Sequence, residues 1–196
     1  VDLVLTGPST SSTTRALLKR LKVKTLHLED ATSIDALSTN VRRLTQAIGQ
    51  YSRGQRSLQQ MSTSLSRLSS ESAMTPKSEW PHAAFLQPNG LTFGPSSLGD
   101  ELLGHAGFRN SATLMGLKTY QRFPLESLLR AKPNLLLVPT QQLKNPALAQ
   151  ELLQHPVMRN VALQHEIAPS ELTCGTTRIT NVALALATTR QTLKNL

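Results

Sequence analysis

The chain is predicted to be an α/β protein of two Rossmann-like lobes joined by a long α-helix, the first lobe incomplete. Three observations predict this. VDLVLTGPST at residues 1–10 is echoed by PNLLLVPT at residues 133–140. Each copy opens the same order of elements: an apolar run, a polar loop, a helical stretch, a second apolar run and a longer helix. The best helical periodicity in the chain lies between the two copies.

In the first copy the polar loop leads to a helical stretch over residues 15–21, a strand over 24–28 and a helix from Ser33. Thr32 with Asp35 reads as a capping box. Ile34, Leu37, Val41, Leu44 and Ile48 then recur at spacings of three and four, one face of a helix. Gly49 and Gly54 interrupt this run, and Leu58, Met61, Leu65 and Leu68 restart the period on a Ser/Gln-rich background. A second helix over residues 52–72 would be about 30 Å long, enough to reach from one lobe to the other. The glycines and a change of phase at Gln55 exclude sustained coiled-coil heptads. SSESAMTPKSE, residues 69–79, reads as an exit loop. The chain therefore divides into a first-lobe remnant (1–50), a connecting helix with its exit loop (51–75) and a second lobe (76–196).

The second copy is preceded by a strand over 83–86, a loop, a helix over 98–106 and a helix over 125–131. Its central strand at 135–138 leads to a helix over 146–153, a strand over 163–167 and a final helix from Thr176. The first copy has no such lead-in, so internal symmetry predicts roughly 50 further residues of first lobe ahead of Val1.

Composition narrows the function classes. Hydrophobic residues make up 39% of the 196, enough for a core. The net charge of +9 and pI near 10.3 would suit an anionic ligand or nucleic acid. Lys and Arg are scattered singly or in pairs, and aromatics at 4% do not interleave with them as a base-stacking platform requires, so nucleic acid is not expected. Cys174 stands alone, which excludes an internal disulfide and a cysteine zinc site. His27, His82, His105, His155 and His165 lie far apart and lack metal-ligand spacing; packing or surface roles are expected, and no metal site. No stretch approaches the roughly 20 apolar residues of a membrane span. No signal sequence precedes Val1, which leaves the compartment open. GxSxG, GxxxxGK[ST], GxGxxG and HExxH are all missing, so an enzyme is not expected.

Four segments carry binding chemistry. Gly7, Pro8 and the hydroxyl run over 9–14 follow a buried strand and precede a helix, where α/β sheets place ligand loops. Ser9 and Thr10 are the candidates, although the same hydroxyls serve as helix caps. QPNGLTFG, residues 87–94, fixes a loop that holds Leu91 and Phe93 either on a cleft wall or, for Phe93, in the core. Pro124 fits a helix start with Glu126 in its first turn, which dipole stabilisation alone accounts for. SELTCGTTRIT places Gly175 and Thr176 before a helix with Ile179, Val182 and Leu186 inward; free amides there suit an anion, and Arg178 either strengthens this or is simply solvated.

In their order, PLESLLRAKPNLLLVPT, QPNGLTFGPSSLGDELLGHAGFRN and LTCGTTR resemble the substrate-binding proteins of bacterial ABC importers for iron-siderophores, haem and cobalamin, whose two lobes are joined by one long helix. The resemblance covers essentially the whole chain, and departs from the family in lacking the opening strand, loop and helix of lobe one. It implies capture of a ferric siderophore, haem or cobalamin-type chelate between the lobes and delivery to a membrane permease, without chemistry and without a resident cofactor. It points to Ser9, Thr10, Asn89, Leu91, Thr92, Phe93, Tyr120, Arg178 and the 172–175 loop with Cys174 as ligand contacts. Lys118, Arg122 and Arg178 are its candidate charges for an anionic chelate, and Glu126 its permease-docking residue, with a first-lobe counterpart upstream of Val1. It further implies a monomer, located in the periplasm or lipid-anchored on the outer face of the cell membrane, with only small hinge motion. The alternatives are a zinc or manganese receptor of the same architecture, a basic nucleic-acid binder, or a metallocluster subunit on a related fold, for which one cysteine leaves too few thiolates.

Overall fold

The computed structural model describes residues 1–140, 163–168, 171 and 175–194. In the first lobe the apolar runs become strands β1 (Val4–Thr6) and β2 (Thr25–His27), which pair in parallel with Leu5 opposite Leu26. Helix α1 (Ser12–Arg20) makes the crossover, capped by Ser11, whose hydroxyl accepts the Thr14 amide.

Helix α2 (Ile34–Ala47) starts one residue later than the Thr32 capping box requires. Ser33, in extended backbone, is the cap, and its hydroxyl accepts the Ala36 amide at 3.0 Å. Gly49, at φ +69°, ends the helix and turns the chain into α3 (Tyr51–Ala73). Gly54 does not break α3: a Cβ there would run into the Thr45 side chain, so this glycine lets α2 and α3 pack closely.

Over its 23 residues α3 is about 35 Å long. It is not a free strut between lobes. Leu58, Met61, Leu65 and Leu68 are buried in one core with Ala83, Phe85, Leu135 and Leu137 of the second-lobe sheet, and Leu37 of α2 joins the same core. The helix forms one side of the second lobe while carrying the first.

The second-lobe sheet is parallel, with strands in the order β5 (Arg109–Asn110), β3 (His82–Phe85), β7 (Leu135–Pro139), β8 (Leu163–Ile167). Its central strands are apolar throughout because both faces are covered. Ala83, Phe85, Leu135 and Leu137 face α3, α4 (Leu98–Ala106) and α7 (Ile179–Lys194). Ala84, Leu86, Leu136 and Val138 face Ala112 of the short α5 (Ser111–Leu114) and Leu128 of α6 (Leu125–Ala131). An antiparallel pair, β4 (Leu91–Phe93) with β6 (Tyr120–Arg122), stands beside this sheet.

The helices over 98–106 and 125–131 and the strand over 163–167 are where the sequence puts them. The final helix begins at Ile179 rather than Thr176. The predicted helix over 146–153 lies outside the described residues.

Candidate functional site

The aromatic candidates of the second lobe sit on the β4–β6 pair. A tight turn at Pro88–Gly90 sets it up, with Asn89 at φ 61° and Gly90 at φ 70°, both left-handed. The Gln87 amide donates to the Leu91 carbonyl at 2.7 Å, which starts β4 in a fixed register: Leu91 opposite Arg122, Thr92 opposite Gln121, Phe93 opposite Tyr120. Alternation then separates the side chains. Leu91 is exposed and Phe93 half-buried, while Thr92 on the opposite face is 1% exposed, its hydroxyl without a partner among the described residues.

Three aromatic rings form a continuous edge-to-face series. Phe85 meets Phe93 at 5.1 Å and 86°, and Phe93 meets Tyr120 at 5.6 Å and 73°. The series runs from the sheet to the surface, where Tyr120 is 52% exposed. Asn110 fixes it from behind, its side-chain amide donating to the Phe93 carbonyl at 2.8 Å and to Asp100 Oδ1 at 2.9 Å. Gly99 of α4 admits Phe93, since a Cβ there would sit 2.8 Å from the Phe93 Cβ. Burial, and secondly the charge of Asp30 in the loop after β2, raise the pKa of the Tyr120 phenol above 10.0. The hydroxyl is protonated at neutral pH, as a phenol is, and can donate.

A cleft of about 610 Å³ opens between the lobes, a size that suits a small-molecule ligand. Leu5, Pro8, Leu28, Val41, Leu44 and Ile48 provide apolar lining from the first lobe and α2. Asp30, Arg53 and Ser57 supply polar groups, and Gly175, Thr176 and Thr177 complete it from the second lobe. It lies at the carboxyl ends of β1 and β2, where open α/β sheets bind ligands.

Two contacts hold the lobes in register around it, and a third ties α3 to the second lobe. Glu101 of α4 accepts the Ile34 amide at 2.7 Å, so a second-lobe carboxylate caps a first-lobe helix. The Ser57 and Thr177 hydroxyls are 2.8 Å apart. Gly175, at φ +53°, lies so near the first lobe that a Cβ would sit 3.0 Å from the Ala31 Cβ.

Of the residues selected from sequence, Phe93 and Tyr120 are brought together, and Leu91 shares the β4 edge with them. Thr92 is turned away from that surface. Gly7 and Pro8 line the cleft, whereas Ser9, Thr10, Asn89, Leu91, Thr92, Phe93, Tyr120 and Arg178 do not. Ser9 is exposed; the Thr10 hydroxyl accepts the Gly7 amide at 3.0 Å, closing the loop on itself. Asn89, Lys118, Arg122 and Arg178 are exposed, and Glu126 is exposed in the first turn of α6. Cys174 lies outside the described residues, as do residues 172–173 of its loop. Among the described residues no three His, Cys, Asp or Glu side chains are grouped to hold a metal ion. Asp30, Arg53 and Ser57 were not selected from sequence. Asp30 follows the β2 apolar run directly, a position that could have flagged it; Arg53 and Ser57 sit on a helix whose orientation no local pattern reveals.

A ligand-sized cleft between two α/β lobes, with apolar walls and a few polar anchors, defines a two-lobed binding protein. A family model described as Periplasmic binding protein matches residues 2–163, and the chain belongs to that family. No curated protein matches the chain. Among solved structures it is similar to the periplasmic heme-binding protein RhuT from Roseiflexus sp. RS-1, with TM-score 0.76 and 21% identity over 96% of this chain and 76% of that one. It is likewise similar to a periplasmic heme-binding protein from Pseudomonas aeruginosa, with TM-score 0.79 and 21% identity over 96% and 71%. The periplasmic vitamin B12 binding protein BtuF of Vibrio cholerae gives TM-score 0.67 and 14% identity over 100% and 76%. Among the described residues no helix is long and apolar enough to cross a membrane.

Proposed function

We propose that the chain captures a bulky metal chelate or tetrapyrrole, of the ferric siderophore, haem or cobalamin class, between its lobes and delivers it to the permease of an ABC importer. The observation that carries this reading is the inter-lobe cleft of about 610 Å³ with its aliphatic lining, and the Phe93–Tyr120 pair is the aromatic surface of the second lobe. That lining desolvates a flat or globular apolar ligand, and the rings offer an edge and a hydroxyl to a conjugated one. Arg53 in the cleft and Arg178 beside it supply positive charge for carboxylates or catecholates, and the protonated Tyr120 hydroxyl supplies a donor.

Membership of the periplasmic binding protein family supports this reading, as do solved relatives whose titles name heme, vitamin B12 and Fe3+-hydroxamate transport. Capture is by closure around the ligand without a chemical step. The tie Glu101–Ile34 restricts that closure to a small movement about α3. Glu126, exposed at the start of α6, is the docking contact toward the permease, and the periplasm, with or without a lipid anchor, is the place of action. Native mass spectrometry of the chain with haemin, cobalamin and ferric siderophores in turn tests the proposal. A one-to-one adduct with one of them is expected, and no adduct with any chelate would overturn it.

A further inference from the structure

The Phe93 and Gly94 carbonyls, where β4 ends, are both held by side chains from outside the β4–β6 pair. Asn110, 6% exposed, uses its side-chain amide twice, donating to the Phe93 carbonyl at 2.8 Å and to Asp100 Oδ1 at 2.9 Å. Its own Oδ1 accepts the Ala112 amide at 3.0 Å and so caps α5. Asp100, half-buried in the first turn of α4, also accepts the Thr113 hydroxyl and the Ser96 amide, each at 3.3 Å. Ser97, the fully buried cap of α4, donates its hydroxyl to the Gly94 carbonyl at 2.7 Å.

The strand that carries Tyr120 hangs on the same frame. The Gly94 amide donates to the Thr119 carbonyl at 2.8 Å, and a Cβ at Gly94 would overlap the Lys118 carbonyl, so only glycine allows this approach. The Phe93 ring occupies the opening left by Gly99. Phe93 is thereby fixed through its carbonyl and through its ring, and Tyr120, its partner in register, is fixed through Phe93. All of these groups belong to the second lobe, and Asn110 is too deeply buried to meet a ligand itself.

We infer that Asn110, oriented by Asp100, is a positioning residue for ligand binding, setting the Phe93–Tyr120 surface in the pose in which a chelate meets it. The inference rests on the proposed function in taking that surface as a ligand contact. Two strands of three residues have little of their own to hold a pair of rings in place. A surface held in advance loses less conformational freedom when a ligand arrives, and so binds more tightly. The chemistry required is that of asparagine. Aspartate would cap α5 equally well, but it would turn acceptors alone toward the Phe93 carbonyl and the Asp100 carboxylate. One substitution of the same shape therefore separates capping from positioning.

The test is Asn110→Asp, read in two ways. Without ligand, hydrogen exchange should quicken over residues 91–94 and 118–122 and stay as it was in β7 and α6. Affinity is then measured with haemin, cobalamin and a ferric siderophore, and the one that the parent retains should bind about tenfold more weakly. In Tyr120→Ala protein the same substitution should cost no more than about twofold, because its effect passes through that ring. Asp100→Ala should act in the same direction and replaces Asn110→Asp if that variant does not fold, while Asp100→Asn, which keeps an acceptor for Asn110, should recover most of the loss. Unchanged exchange over 91–94 and 118–122, or losses that add in full to that of Tyr120→Ala, would overturn the inference. A chelate bound as tightly by Tyr120→Ala as by the parent would overturn its ligand half, and the exchange measurement, made without ligand, then decides the positioning half.

Discussion

Glu101 of the second lobe caps the first lobe's helix α2, its Oε2 accepting the Ile34 amide at 2.7 Å. The contact joins residues 67 positions apart and places negative charge at the positive end of a helix dipole. Replacing Glu101 with Ala leaves that amide without its partner and should cost about 1 kcal/mol. Hydrogen exchange at the first turn of α2 should quicken, while exchange within α7 stays as it was. Glu101→Gln, which keeps an acceptor, should recover part of the loss; no change in α2 exchange for Glu101→Ala would show that the contact does not hold the lobes.

Gly175 tests the closeness of the lobes from the other side. Its φ of +53° disfavours any side chain, and a Cβ would press on Ala31 at 3.0 Å. Gly175→Ala should therefore destabilise by about 1 kcal/mol, lowering the melting temperature of a chain this size by roughly 2–4 °C. If the close approach contributes, Ala31→Gly in the same chain should restore part of it.

Tyr120 is one of two tyrosines in the chain. Burial first, and Asp30 second, raise its phenol above the ordinary 10.0. In Tyr51→Phe protein the tyrosinate absorbance should therefore rise with a midpoint above 10.0, and Asp30→Asn should move that midpoint down. The sign for stability follows, since the folded state holds its proton longer. The contribution is intact below pH 10.0 and is lost as pH rises through the folded value.

His82 behaves in the opposite sense. Burial first, and the Arg109 guanidinium on the neighbouring strand second, lower its pKa below 6.5, against a hydrogen bond that the imidazole donates to the Ala131 backbone carbonyl, which raises it. The folded state thus prefers neutral imidazole, and stability is full above pH 6.5 and declines as pH falls through the folded value. Denaturant melts of His82→Gln should show a flatter dependence on pH below 6.5 than the parent; an unchanged slope would refute the assignment.

Much of the fold was legible because its cues are local. Leu98–Ala106 and Leu125–Ala131 announce themselves through Ser97 as a cap, Gly107 as a stop and Pro124 as a start. The repeated apolar strands announced two lobes. The role of α3 was not legible: periodicity showed that Leu58, Met61, Leu65 and Leu68 share a face, but not that the face belongs to the second lobe's core. The α2 cap was misread as Thr32 because two adjacent hydroxyl residues offer the same chemistry, and only backbone conformation selects Ser33. Of the site, Phe93 could be picked as an aromatic on a loop after a strand, whereas Tyr120 was indicated only by the family resemblance. Their contact comes from the three-residue β4–β6 pairing, too short for any periodic signal. Arg53 and Ser57 neighbour each other on α3, and Asp30 joins them only through the packing of the first lobe on that helix.

The central claim is that a ligand bridges the two lobes. It is tested most directly by titrating the chelate retained in mass spectrometry into two variants, one altered on each side. Ile48→Trp fills the cleft from the end of α2, and Tyr120→Ala removes the terminal ring of the second-lobe aromatic series. Both should weaken binding by about tenfold or more while the fold is unchanged by circular dichroism. Weakening by one variant alone, or by neither, would contradict capture between the lobes.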